Sequence, residues 1–600
     1  MQRSLHFRVT VADPRAHLFQ VELELSLAGA ERVLFQLPSW IRGSYLVRDF
    51  AKHVVSMRAE QAGCEKAIEK VDKRSIAVEA EAGVLRLEYQ VYAFDPSVRK
   101  AFLDAERGFF NGSSLFYCPQ GRRRQEISVE LVRPEDSALA DWRVATTLPP
   151  QSIDDRGFGW YVASDYEALI DYPVEMGHFQ QHDFEVDGIP HALVVAGRAQ
   201  FDVSRVSKDL ARICETQRRF FDGEPALTKY LFLTNVRASG YGGLEHRDSC
   251  VLTCSRGDLP RAGQSGPLRE YGRFLGLCSH EYFHQWNVKR IRSAAFEASD
   301  LGAEAYSRDL WHYEGVTSYY DDLFLLRAGL IKPEDYLDVL AEHATRMSRA
   351  PGRLVQSLSD SSFETWSKFY QPDENSPNAV ANYYVKGALA ALCLDLKLRR
   401  DSQTSLDAVM QELWRRHGRD QRPVPEGGLE ALAAEICGLD LKSFFDQLLR
   451  STEELPLAEL LADFGVQAQR RAQTSPIDDG GRTKAAASGA WVGLRLRPGT
   501  ATVSHVLSHS PAERAGVCAG DQLLALDGLQ IKTNNWHRRL EASQANVTVG
   551  LHLFRDEQMH ELSITPADLP LDTWTLRLSQ AEGDALRRRW RGRRVAWLGA

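Results

Sequence analysis

Pro267-Leu268-Arg269-Glu270-Tyr271-Gly272-Arg273-Phe274-Leu275-Gly276-Leu277-Cys278-Ser279-His280-Glu281-Tyr282-Phe283-His284 decides how the rest of the chain is read. Leu268, Tyr271, Leu275 and Cys278 recur at helical spacing, and Pro267 after Gly266 suits a first helical turn. On such a helix His280 and His284 stand one turn apart on one face, so both imidazoles can reach one ion. Glu281 then lies beside that ion, placed to take the proton of an attacking water. The competing reading is a pair of satisfied histidines on a buried helix.

A catalytic zinc site needs a third protein ligand and an open fourth position. The stretch Asp309-Leu310-Trp311-His312-Tyr313-Glu314-Gly315-Val316-Thr317-Ser318 offers Glu314, 30 residues after His284. Ser307 reads as an N-cap there and Gly329 as a stop. Trp311, Glu314 and Thr317 or Ser318 would share a face, with the carboxylate pointing inward. Glu304, in a segment with less helical support, is the competitor.

With these residues in place the chain resembles a gluzincin, and more closely the glycyl aminopeptidase family of PDZ-bearing gluzincins related to the aminopeptidase N group. His280-Glu281-Tyr282-Phe283-His284-Gln285-Trp286-Asn287-Val288-Lys289-Arg290-Ile291 and Leu310-Trp311 with Glu314-Gly315 carry the resemblance. The gap before Glu314 is longer than in aminopeptidase N relatives, which leaves 290–308 as an insertion. The resemblance implies one zinc ion held by His280, His284 and Glu314, with Glu281 as general base.

Two further motifs acquire meaning through that resemblance. Gly240-Tyr241-Gly242-Gly243-Leu244-Glu245-His246 is similar to the Gly-x-Met-Glu-Asn strand of the relatives, with Leu244 for Met and His246 for Asn. The likeness implies that Gly242 and Gly243 admit the substrate backbone and that Glu245 binds its free amine, a charge-assisted contact. Asn382-Tyr383-Tyr384-Val385-Lys386-Gly387 is similar to the element whose phenol stabilises the oxyanion; Tyr384 is the matching position and Tyr383 the fallback.

The 600-residue chain, 44% hydrophobic and 26% charged, has the composition of a multidomain globular protein. A net charge of −8 gives no reason to expect nucleic acid, and the short basic run from Arg587 to Arg594 reads as a solvated helix face. The N-terminal residues lack a signal-peptide core and no apolar run could cross a bilayer. Nine cysteines without C-x-x-C spacing read as thiols in a reducing compartment, the cytoplasm.

The expected fold is multidomain α+β. Alternating strands over 1–170 predict an N-terminal β-sandwich or saddle; its aromatic loop Pro38–Tyr45 reads as packed, the alternative being that it borders the active site. Residues 171–467 form a thermolysin-like catalytic domain with a sheet lobe (171–265) and a helical lobe (266–467), the Ser-, Asp- and Pro-rich 351–377 being a loop. A polar linker spans 468–486. The series Ser510-Pro511-Ala512, Ala515-Gly516, Gly520-Asp521 and Asp527-Gly528 resembles a PDZ domain over 487–567. That likeness implies that the strand edge near Gly493-Leu494 could accept a peptide C-terminus. Residues 568–600 are a tail. The chain is thus expected to be a cytoplasmic zinc aminopeptidase that removes a small N-terminal residue, Gly or Ala, from peptides. An endopeptidase or another metal-dependent hydrolase, or an inactive peptidase-fold scaffold presenting its PDZ domain, are the alternatives.

Overall fold

Alternation of apolar and polar residues makes Leu5–Asp13, Leu18–Leu27 and Gly83–Tyr92 strands with one buried face. In the computed structural model, which describes residues 5–264, 269–487, 489–579, 591–593 and 596–598, these three lie side by side in an eight-stranded sheet. Two four-stranded sheets complete the β-rich N-terminal region. The chain divides into two compact units, Met1–Ala305 with Trp414–Val424, and Tyr306–Leu413 with Pro425–Ala600.

The first unit carries a second, five-stranded sheet. Its order is Phe179–Val186, Ile189–Ala196, Tyr230–Arg237, Ser249–Ser255 and Gly242–Glu245. The three central strands run parallel, and the helix Val203–Phe220 links the first two of them. Side-chain alternation gives the sheet two different faces. Ala192, Val194, Leu231, Leu233, Leu244 and Val251 share one core with Ile41, Phe50, Val98, Phe109 and Ala145 of the N-terminal region. The opposite face, through His191, Tyr230 and Phe232, meets Tyr282 of the helix Arg269–Phe283. The start of that helix predicted at Pro267 lies outside the described residues.

In the second unit the helices Thr317–Arg327, Pro333–Ser348 and Val385–Asp401 build an apolar core. The expected loop over 351–377 is instead a chain of short helical turns, Pro351–Leu354, Leu358–Phe363, Thr365–Phe369 and Ser376–Ala379. Its serines and prolines act as local caps and first-turn residues; the Ser357 hydroxyl, for example, accepts from Asp360 N at 3.1 Å. The first residues of the expected linker belong to a strand, Val466–Arg471, paired with Thr573–Leu578 about a hundred residues later.

The PDZ fold follows the sequence reading closely. Ser510 caps the helix Pro511–Arg514. Asp527 and Gly528, at φ 50° and 68°, make the tight turn between Gln522–Leu526 and Leu529–Gln530. Much of the basic run from Arg587 lies outside the described residues; Arg593, within them, pairs with Asp463, and Trp597 is buried. All nine cysteines are free, with Cys64 and Cys518 exposed. No helix among the described residues is long and apolar enough to cross a membrane.

Candidate active site

The helix Arg269–Phe283 and the turn after it bring His280 and His284 together, ring centroids 4.6 Å apart and planes nearly perpendicular. His284 is buried, and its Nδ1 donates to the Asn287 carbonyl at 2.8 Å. That bond fixes the tautomer and leaves Nε2 with its lone pair for a cation. The carbonyl is aimed by a sharp turn in which Val288, a β-branched residue, is held at φ 117°. Neighbouring ion pairs brace the turn: Lys289 Nζ to Asp171 at 2.7 Å and Arg290 Nη2 to Asp248 at 3.2 Å. Burial pushes the Asp171 carboxyl up, but Lys289 and the His246 imidazole more than reverse this and hold it far below the usual range. His246, whose role the sequence left open, thus belongs to this brace, its Nδ1 3.3 Å from Asp171.

Tyr282, between the two histidines, faces the sheet. Its hydroxyl lies 3.0 Å from His191 Nε2, while His191 Nδ1 lies 2.9 Å from the Ile189 carbonyl. Nδ1 must therefore carry the proton, and Tyr282 donates to Nε2. Burial lowers the His191 pKa to about 4, which keeps this arrangement neutral.

Glu281 points at the edge strand Gly242–Glu245. A Cβ on Gly243 would come within 2.7 Å of Glu281 Cγ and overlap its carboxylate, so glycine is what lets the helix acid lie on the strand. Two residues along, on the same strand face, Glu245 is 3% exposed and its Oε1 is buried with no hydrogen-bond partner. Glu245, Glu281 and His284 each present one ligand atom within 4.8 Å of the others. An uncompensated buried carboxylate oxygen is costly and calls for a cationic guest.

One contributor comes from the N-terminal region. The loop around Trp40, packed as expected, also borders the site: Gly43, at φ 89°, would place a Cβ 2.5 Å from the Glu245 Cδ. Only glycine tolerates both the left-handed backbone and that approach.

The second unit holds the other candidates. Glu314 is 2% exposed on a π-helical turn, Trp311–Val316, that runs into the helix Thr317–Arg327; such turns recur at functional positions. Beside it, Gly315 and Gly387 touch backbone to backbone, a Cβ on Gly315 falling 2.6 Å from the Gly387 Cα. This contact brings Glu314 close to the tyrosine pair that opens the helix Val385–Asp401. Tyr383 is fully buried and accepts from the Thr365 hydroxyl at 3.1 Å. Tyr384 keeps partial exposure, with its hydroxyl 3.1 Å from that of Tyr370. Burial first, then the Glu314 charge, pushes the Tyr384 pKa well above its ordinary value, so it stays a hydrogen-bond donor. Glu304, the competing ligand, lies exposed in a loop of the first unit.

The donors fit zinc: imidazole nitrogens one helical turn apart, one with its tautomer fixed by a carbonyl. Family models match in three places, the M61 peptidase N-terminal domain over residues 6–178, M61 glycyl aminopeptidase over 273–390, and a PDZ domain over 464–565. No curated protein matches the chain. A solved structure of an aminopeptidase N family protein from Idiomarina loihiensis is 37% identical, with 98% of this chain and 99% of that chain covered and a TM-score of 0.93. Fainter likeness extends to an M1 zinc metallopeptidase from Deinococcus radiodurans, 15% identical over 76% of this chain and 94% of that one, with a TM-score of 0.47. From the HExxH helix, the matching models and the near-complete overlap with that 37% identical relative, the chain belongs to the M61 glycyl aminopeptidase family and is an aminopeptidase.

Proposed function

We propose that the chain removes small N-terminal residues, glycine and alanine foremost, from peptides, with one zinc ion held by His280, His284 and Glu314. The buried, unpartnered Oε1 of Glu245, on the same strand face as the Gly243 position that Glu281 overlies, is the observation that carries this reading. An ammonium is the natural guest of such a carboxylate, and it places the first peptide bond beside Glu281. Zinc, when bound, supplies a Lewis acid that makes water a nucleophile near neutral pH. Glu281 takes the proton of that water and passes it to the leaving amine. The Tyr384 phenol donates to the oxygen on which negative charge develops. The preference for glycine accords with the glycyl aminopeptidase family to which the chain belongs, and alanine is the next smallest side chain.

Among the described residues the PDZ strand Leu494–Leu496 pairs on one side only, with Val503–Val506. Its open edge beside Gly493 suits a peptide C-terminus. Nine unpaired thiols favour a reducing compartment, the cytoplasm. Hydrolysis of Gly- and Ala-p-nitroanilide, with and without chelator, tests the proposal against an N-acetylated peptide. Turnover that requires both metal and free amine supports it; equal turnover of the acetylated peptide makes the enzyme an endopeptidase.

A further inference from the structure

Arg99 stands beside the substrate strand without a role in the chemistry above. Its Nη2 donates to the Gly243 carbonyl at 3.2 Å, and its Nη1 lies 3.9 Å from where a Gly242 Cβ would be. Among the described residues it is paired with no carboxylate, and its Nε is buried without a hydrogen-bond partner. A guanidinium with unused donors is a ready bidentate site for a carboxylate.

Register along the strand says which carboxylate. Among the described residues Gly242–Glu245 is the last strand of its sheet, with no strand paired on its outer edge. An extended peptide whose ammonium sits at Glu245 has its first carbonyl beside Gly243, where Glu281 lies. From a first carbonyl beside Gly243, the second residue's carboxyl lies one extended residue, ~3.5 Å, farther on, level with Gly242, where Arg99 approaches from the strand face opposite Glu281. We propose that Arg99 binds the terminal α-carboxylate of dipeptides, making this enzyme prefer substrates two residues long. A tripeptide carries its carboxylate ~3.5 Å farther on, past the guanidinium. The proposal rests on Glu245 as the amine anchor, since the register is measured from there.

The test compares kcat/KM for Ala-Ala with Ala-Ala-amide, and for Ala-Ala-Ala with its amide, with acetyl-Ala-Ala as a control. Wild type is expected to prefer Ala-Ala over its amide roughly ten- to a hundredfold, the usual worth of a charged hydrogen-bond pair, and to show little such preference for the tripeptide. In Arg99→Ala the dipeptide acid-to-amide ratio should fall toward one, chiefly through KM, while Arg99→Lys retains part of it. If Arg99 merely props the strand, acid and amide lose activity alike and the ratio survives, which overturns the proposal. So does a wild-type ratio near one. If acetyl-Ala-Ala is cleaved as well as Ala-Ala, the amine anchor itself is wrong and the Arg99 assignment goes with it. A ratio near one with the acetylated control still inert defeats Arg99 alone.

Discussion

The Cα of Gly243 and the carboxylate of Glu281 are so close that no side chain fits between them. The helix acid and the substrate strand thus form one surface, and the missing Cβ is what permits it. Gly243→Ala should push Glu281 off its position and lower kcat by about a hundredfold, the scale of a displaced catalytic group, while zinc content remains that of wild type. Metal analysis beside steady-state kinetics checks this; loss of metal in parallel with activity would mean that the substitution disrupts the fold instead.

Glu245 carries the free-amine requirement. Glu245→Gln keeps the shape and removes the charge, so it should raise KM for Ala-p-nitroanilide by roughly tenfold or more, the worth of a charge-assisted bond. Gly43→Ala, through its collision with the same carboxylate, should produce a milder change in the same direction. Kinetics on substrates with and without a free amine distinguishes this from general damage.

Much of this arrangement was legible in the sequence, because its determinants are local. The HExxH spacing, the Gly-Gly-Leu-Glu strand and the Asp-Gly turn each need only their neighbours. What escaped depends on contacts between distant segments. Nothing near Arg99 hints that it meets the Gly242–Glu245 strand some 140 residues away, and the aromatic loop around Gly43 pointed to a border of the site without naming Glu245, some 200 residues on, as its contact. Polar composition over 468–486 likewise hid a strand whose partner is Thr573–Leu578. Lone glycines such as Gly315 and Gly387 gave a motif likeness, but not the reason for it, which is a backbone contact.

Tyr384 and Tyr383 should separate cleanly. Tyr384→Phe is expected to lower kcat ten- to a hundredfold with little change in KM, as loss of one oxyanion donor does. Tyr383→Phe breaks the bond from Thr365 and should cost only about 1 kcal/mol of stability. Thermal melts and kcat for both variants decide the assignment; the reverse pattern makes Tyr383 the donor.

His191 predicts an acid limit. Its folded pKa, about 4, is depressed below the ordinary 6.5. The neutral ring therefore contributes stability that is fully present above pH 6.5 and is lost as the pH falls through the folded value near 4. The total is on the order of 3 kcal/mol. Denaturant melts from pH 7 to 4 should show this slope, and His191→Gln should flatten it.

The central claim is that Glu314 completes a zinc site with His280 and His284. Zinc per chain after dialysis, measured in wild type, Glu281→Gln and Glu314→Gln, tests it most directly. The account predicts about one zinc per chain in wild type and in Glu281→Gln, as one catalytic site requires, and metal loss in a folded Glu314→Gln. Full zinc retention by Glu314→Gln would contradict it.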